Sequence, residues 1–252
     1  MANSAAIILA AGKSTRMAGD KPKVLHEVCG RSMLACVLDA CAEAGVERIV
    51  VVVGCGKDAV IDACADREGI TWVEQVEQKG TGHAALVCEE VLGRFDGQTI
   101  VLAGDMPLVR SETLSGLLAD NAASGDAVTL ATSIFEDPSG YGRIARDGAG
   151  RFTGIVEEAD CTDRQRAIRE VNISYYCFDN RRMFEALHAI TPDNSQGEYY
   201  ITDAVRILLE KGYGAGARAT VAPADAMGVN SSADLEVVNT LMLERRFHDH
   251  RV

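Results

Sequence analysis

The sequence predicts an α/β fold built on a doubly wound, mixed and mostly parallel sheet with helices on both faces. Three observations lead there. Apolar runs of strand length alternate with segments of helical period from the start to about residue 135. Runs such as Ile7-Ile8-Leu9 and Ile49-Val50-Val51-Val52-Val53 are continuous rather than alternating, the pattern of strands buried on both faces. After Asp137-Pro138-Ser139-Gly140 the alternation stops, and two short strands flank Asp147-Gly148-Ala149-Gly150, as in a hairpin.

Residues 5–10 read as the first strand. Met33, Leu34, Val37, Leu38 and Cys41 fall at helical spacing, so a helix is expected over 32–44. A strand over 48–53, a helix over 58–65 and a short strand over 71–74 follow. The Gly80-Thr81-Gly82 turn opens a helix over 82–92, and the strand over 99–103 ends in Gly104-Asp105. Ser111 is expected to cap a helix to about 123, before a strand over 127–135. The hairpin occupies 141–146 and 151–157, with a further strand over 170–178. Helices over 180–189 and 201–211, a strand over 219–222 and a helix over 233–247 complete the chain. The expected organisation is one domain over 1–230, with a small β insertion at about 137–180 lying over the substrate, and a linking helix over 231–252.

Composition narrows the function classes. The net charge of −12 argues against a nucleic-acid partner, which wants a basic face. A nucleotide ligand is compatible, because a few local cations plus a bound ion can hold a triphosphate. No apolar run reaches the roughly 20 residues of a membrane helix. The apolar run near Met1 lacks a basic segment before it and is short for a secretory signal, so no membrane partner and a cytoplasmic location are expected. The eight cysteines form no Cys-x-x-Cys pair and read as buried free thiols.

The opening strand runs into Leu9-Ala10-Ala11-Gly12-Lys13-Ser14-Thr15-Arg16-Met17, with Lys23 just downstream. Small residues let backbone N–H groups approach an anion, and the cations supply charge, so this reads as a site for a nucleoside triphosphate at a strand's C-terminal end, the alternative being an ordinary strand-to-helix turn with surface cations. It is not a P-loop, since Ile7 stands where the first glycine belongs, and a single glycine is not a dinucleotide fingerprint. Asp105, also at a strand end, suits Mg²⁺, although an Asx turn before Pro107 would need an aspartate too. Gln75 offers an acceptor and two donors to a pyrimidine edge, with Gly80 and Gly82 allowing backbone contact. Thr81 is a ligand donor or a helix cap, and His83 reads as structural. Glu157 and Asn172 suit sugar hydroxyls or amides. Asn230 is either the N-cap of the last helix or a second metal ligand.

Together, Gln75-Val76-Glu77-Gln78-Lys79-Gly80-Thr81-Gly82-His83-Ala84, Gly140-Tyr141-Gly142-Arg143-Ile144, Gly197-Glu198-Tyr199-Tyr200-Ile201-Thr202-Asp203 and Gly228-Val229-Asn230 carry a resemblance over nearly all of the chain. The chain resembles the uridylyltransferase domains of the bacterial bifunctional GlmU family, within the sugar nucleotidyltransferases. The resemblance implies a Rossmann-like nucleotide-diphospho-sugar transferase fold. It also implies Mg-assisted synthesis of UDP-N-acetylglucosamine, a cell-wall precursor, and pyrophosphate from UTP and N-acetylglucosamine-1-phosphate. By resemblance, Leu9, Ala10, Ala11, Gly12, Gln75, Gly80, Thr81 and Gly104 hold the nucleotide, and Arg16 and Lys23 are the catalytic cations. Asp105 and Asn230 hold Mg²⁺, while Gly142, Glu157, Asn172 and Thr202 hold the sugar phosphate. Two places depart from the family pattern. Ala103 stands where a larger or polar residue is common, and Ile173-Ser174 where Thr-Gly is usual.

The family's second domain, a left-handed β-helix, has no counterpart in these residues, so no acetyltransferase activity is expected of them. Whether they are a fragment or a stand-alone enzyme, and how they oligomerise, stays open at the level of sequence. The alternatives are a nucleotidyltransferase for another sugar-1-phosphate or nucleotide, and a non-catalytic sugar-nucleotide sensor.

Overall fold

A run of six residues with five buried, β1 (Ser4–Leu9), lies inside the main sheet of this computed structural model, which describes residues 3–12, 17, 21–194 and 196–249. The chain continues through a small antiparallel pair, β2 (Glu27–Val28) and β3 (Arg31–Ser32), to α1 (Met33–Glu43), whose N-terminus is capped by the Ser32 side chain. Then come β4 (Arg48–Val53), α2 (Lys57–Asp62), β5 (Ile70–Glu74), α3 (Thr81–Leu86) and α4 (Glu89–Leu92). β6 (Gln98–Ala103), α5 (Ser111–Ser124) and β7 (Val128–Ile134) complete the alternating part. The remainder is β8 (Gly142–Arg146), β9 (Phe152–Val156), α6 (Asp163–Arg166), β10 (Glu170–Asp179), α7 (Asn180–Leu187), α8 (Ile201–Glu210), β11 (Ala215–Val221) and α9 (Ser232–Asp249).

Among the described residues the main sheet has nine strands, with the path β11-β7-β10-β6-β1-β4-β5. Pairs β1–β4, β1–β6, β4–β5 and β7–β11 are parallel, whereas β10 runs antiparallel to both β6 and β7. Period-two alternation divides the core between the faces. Ile7, Val101 and Tyr176 join one cluster with Ala84, Phe184 and Leu208, from helices on that face. Ile8, Leu102 and Tyr175 join the other with Leu34, Leu38, Leu114 and Leu117. Both faces are covered, as the continuous apolar runs require.

Several expectations are corrected. The helix expected over 82–92 is two helices, because at Cys88 the bonding tightens to i→i−3, Cys88 N–H donating to Ala85 and Val91 N–H to Cys88. Arg110, not Ser111, occupies the N-cap of α5, and Ser111 instead bonds Glu112. The last parallel strand is longer than 219–222: Ala215-Gly216-Ala217 carry little strand propensity but pair with Val128, Thr129 and Leu130. The β insertion is narrower than 137–180. Its hairpin β8–β9 projects from the start of β10, yet most of β10 is an integral strand between β6 and β7. The helix expected over 231–252 is α9, which packs Leu235, Val238 and Met242 against Val28, Met33, Leu108 and Val229.

All eight cysteines are free, six of them buried. Burial pushes the Cys41 and Cys88 thiols up to about 12, so they stay protonated and pack as small apolar groups. Among the described residues no helix is long and apolar enough to cross a membrane.

Buried Asn180 ties the sheet to the helix layer, accepting from Thr99 Oγ1 (2.7 Å) and donating to the carbonyls of Leu92 (2.8 Å) and Phe95 (2.9 Å). Asn180→Ala leaves these buried groups unpaired and is expected to cost about 2–3 kcal/mol, measured as a lower urea midpoint at unchanged slope.

Candidate active site

β1 is followed outward by β4 and β5 on one side and by β6 on the other, so the winding reverses between β1 and β6. Their C-terminal ends lie side by side, with Leu9 in register with Ala103. Among the described residues no crossover covers this point, and α/β sheets bind ligands there. Two confluent cavities, of about 420 and 400 Å³, open at it and share Thr81, Ser174, Tyr176 and Ile201 as common wall.

The first cavity is lined by Leu9, Ala11, Gly12, Gln75, Gly80, Thr81 and Asp105. Gln75 is buried, and its Nε2 donates to the Gly80 carbonyl (3.1 Å) and meets His83 Nδ1 (2.9 Å). With the amide in this orientation its oxygen is left to accept from a ligand. Burial lowers the His83 pKa, and Lys79 adds to the effect while Glu77 opposes it, which favours the neutral ring beside the Gln75 amide. Gln78 donates to the Ala11 carbonyl (2.8 Å), tying this segment to the end of β1. Gly80 has φ 108°, and a Cβ there would sit 2.6 Å from the Tyr199 carbonyl oxygen. That close approach lets Gly82 N–H bond the same carbonyl (2.8 Å) and Tyr199 N–H bond Lys79 (2.8 Å). Thr81 does not cap its own helix: its hydroxyl accepts from the N–H of Ile201 (3.1 Å), the first residue of α8.

The second cavity is walled by the hairpin and α8, with Gly142, Glu157, Asn172, Tyr200 and Thr202 on its surface. Thr202 Oγ1 donates to Glu157 Oε1 (3.0 Å). A Cβ on Gly142 would lie 3.0 Å from Ile155 and 3.3 Å from Glu157 Oε2, so glycine keeps room beside that carboxylate. The Asn172 amide donates to Tyr176 Oη (2.8 Å) and accepts from Ser174 N–H (3.1 Å), which leaves one amide hydrogen for a ligand.

Asp105 forms the first cavity's polar end. Lys23 donates to the Asp105 carboxylate and to Asn230 Oδ1 (2.7 Å). The Val229 N–H donates to the Asp105 carbonyl (3.0 Å) and fixes the Asn230 loop beside it. The N-cap role open to Asn230 falls to Ser231, whose Oγ accepts from Asp234 N–H (3.2 Å), while the Asp234 carboxylate accepts from the N–H groups of Asn230 and Ser231 (both 2.8 Å).

Two expected nucleotide residues do not line the cavity. The Ala10 side chain is buried in the core with its N–H on Val52, and the Gly104 N–H is committed to Leu9. Both shape the strand ends instead. Lys13, Ser14, Thr15 and Arg16 lie outside the described residues. Sequence reading assigned His83 no site role and left Gln78, Ser174 and Tyr176 unassigned. The amide pairing of His83 with Gln75 is visible only in three dimensions.

The family of MobA-like NTP transferase domains matches residues 6–211. The chain belongs to that family. Within it, the chain is a GlmU N-terminal-like domain. It is 43% identical over 240 residues to the bifunctional protein GlmU of Heliobacterium modesticaldum, covering 95% of this chain and 52% of that protein. The match to the Lactococcus lactis subsp. lactis GlmU is also 43%, over 250 residues, covering 99% and 54%. The chain thus spans about half the length of the curated relatives it matches. In fold it is similar to a UDP-glucose pyrophosphorylase solved with UDP-glucose, with a TM-score of 0.76 at 19% identity, covering 96% of this chain and 99% of that one.

Burial pushes the Glu157 carboxyl above the usual carboxylate range. The Thr202 hydrogen bond opposes this, while Asp160 and Asp203 add to it. A raised acid retains its proton longer in the folded state, so its contribution to stability falls as pH rises past the unfolded value. Glu157→Gln is therefore expected to melt above the parent at pH 8, with the gap closing towards pH 4. A gap that is the same at both pH values would show that Glu157 carries no such penalty.

Proposed function

We propose that this domain is a uridylyltransferase that forms UDP-N-acetylglucosamine and pyrophosphate from UTP and N-acetylglucosamine-1-phosphate. The observation that carries the reading is the pair of confluent cavities at the winding reversal. One is lined by backbone and amide groups, the other by a carboxylate, an amide and a hydroxyl, with Lys23, Asp105 and Asn230 at the polar end of the first. The likeness to GlmU proteins supports the choice of substrates.

Gln75, with its oxygen presented to the cavity, accepts from the N3–H of uracil, and Gly80 and Thr81 flank the nucleoside. Gly142, Glu157, Asn172 and Thr202 bind the sugar phosphate from the other side. A phosphate oxygen of the sugar attacks the α-phosphorus, and the bond from that phosphorus to the oxygen bridging it to the β-phosphate breaks as pyrophosphate leaves. The attacking oxygen is already anionic, so no side-chain nucleophile is required. Lys23 and Arg16 neutralise charge on the phosphates, and the two cavities align the reactants.

A divalent ion fits the donor set. The Asp105 carboxylate and the Asn230 carbonyl oxygen converge on one cation, the Lys23 ammonium, so both face a common point of positive charge. Among the described residues no group of three or more His, Cys, Asp or Glu could hold a metal. A carboxylate and an amide oxygen suit Mg²⁺, which takes one or two protein oxygens and fills its shell with water and phosphate. Asp105 and Asn230 would hold the ion, whose charge stabilises phosphate oxygens. We assign the reaction to the cytoplasm, in keeping with the free thiols.

The test is pyrophosphate release from UTP and N-acetylglucosamine-1-phosphate with Mg²⁺, alongside glucose-1-phosphate and the other triphosphates. Turnover confined to the first pair supports the proposal. Turnover with another pair moves the substrate, and binding of UDP-N-acetylglucosamine without any turnover leaves a sensor. Lys23→Ala is expected to lower kcat by about 10²–10³-fold at an unchanged melting temperature. Asp105→Asn is expected to raise the Mg²⁺ concentration needed for half-maximal rate, measured by metal titration.

A further inference from the structure

Ser174 has a left-handed backbone, φ 61°, at the irregularity where β10 shifts register against β7 between Asn172 and Tyr175. A Cβ in that conformation crowds the neighbouring carbonyl, and glycine would remove the crowding. The fold itself does not ask for the serine side chain here. The irregularity is held by the Ser174 N–H on Asn172 Oδ1 (3.1 Å), a bond that glycine would keep.

The side chain does have a distinctive position. Ser174 is half-buried on the wall common to both cavities. The other shared residues are otherwise engaged or apolar: the Thr81 hydroxyl accepts from Ile201 N–H, the Tyr176 hydroxyl accepts from Asn172, and Ile201 is aliphatic. Asn172 Nδ2 donates to Tyr176 Oη at 2.8 Å, which occupies that phenol oxygen as an acceptor. The serine hydroxyl rotates about its C–O bond, so on this wall its proton can turn to an oxygen in the cavity. A strained residue in a site is a pointer to function when the surrounding fold does not require the strain.

We propose that Ser174 contacts substrate, its hydroxyl donating to an oxygen of the ligand where the nucleotide half meets the sugar-phosphate half. The ligand class is a nucleoside diphosphate sugar, which spans both cavities as neither nucleoside nor sugar alone does. This inference rests on the uridylyltransferase reading.

The experiment compares the parent with Ser174→Ala and Ser174→Gly in three measurements: binding of UDP-N-acetylglucosamine and of uridine by calorimetry, pyrophosphate release, and melting temperature without ligand. Ser174→Ala keeps the strain but loses the hydroxyl. It should weaken UDP-N-acetylglucosamine binding roughly threefold to tenfold, leave uridine binding unchanged and melt near the parent. Ser174→Gly should weaken the same ligand similarly while melting about 2–4 °C higher. If Ser174→Ala binds UDP-N-acetylglucosamine as tightly as a parent that turns over UTP and the sugar phosphate, the inference fails and the functional reading stands. If the parent neither binds UDP-N-acetylglucosamine nor releases pyrophosphate, both fail.

Discussion

The parallel pairing of β1 with β6, in register at Leu9 and Ala103, is the constraint on which the site depends. It brings the segment after Leu9 and Asp105 to the same edge of the sheet although they are distant in sequence. Because the chain winds away from this pair in both directions, no helix among the described residues crosses over it. The pairing is fixed by burial on both faces, since Ile7 and Val101 face one core cluster while Ile8 and Leu102 face the other. A one-residue slip would turn every side chain to the wrong face and move Asp105 off the end of β1.

The polar end of the site is a charge arrangement built on that edge. Lys23 reaches Asp105 across 82 residues of sequence and Asn230 across 207. The Asn230 loop is held by the Val229–Asp105 main-chain bond and sealed beneath α9 through Val229, Leu235 and Val238. The C-terminal helix thus belongs physically to the site, because its packing sets where Asn230 stands.

The second cavity depends on a hairpin whose base is braced by a buried charge. Arg143, next to Gly142 in the hairpin, does not line the cavity. It is buried, pairs with Glu158 (2.7 Å) and donates to the Tyr141 and Arg166 carbonyls. A guanidinium suits this role because its fixed fork can satisfy several acceptors at once. The brace positions Gly142 and Glu157 from behind, and the loss of charge solvation is offset by Glu158 and the two carbonyls.

The sequence by itself determined most of the strands and helices, because hydrophobic period and turn chemistry are local. β4 is Arg48–Val53 as expected, and β1, β6 and α8 end within one residue of expectation. It also marked several residues that line the two cavities, since glycine, amide and carboxylate groups at strand ends are unusual where only packing is needed. Tertiary structure alone decided which of these groups meet. Thr81 caps α8 rather than its own helix, and His83 holds Gln75. The strand β10, antiparallel to its neighbours, enters the main sheet and carries Ser174 in left-handed backbone to the shared wall. Each outcome depends on register or on contacts far apart in the chain. Such contacts are set by how buried faces fit together, which no local window of sequence contains.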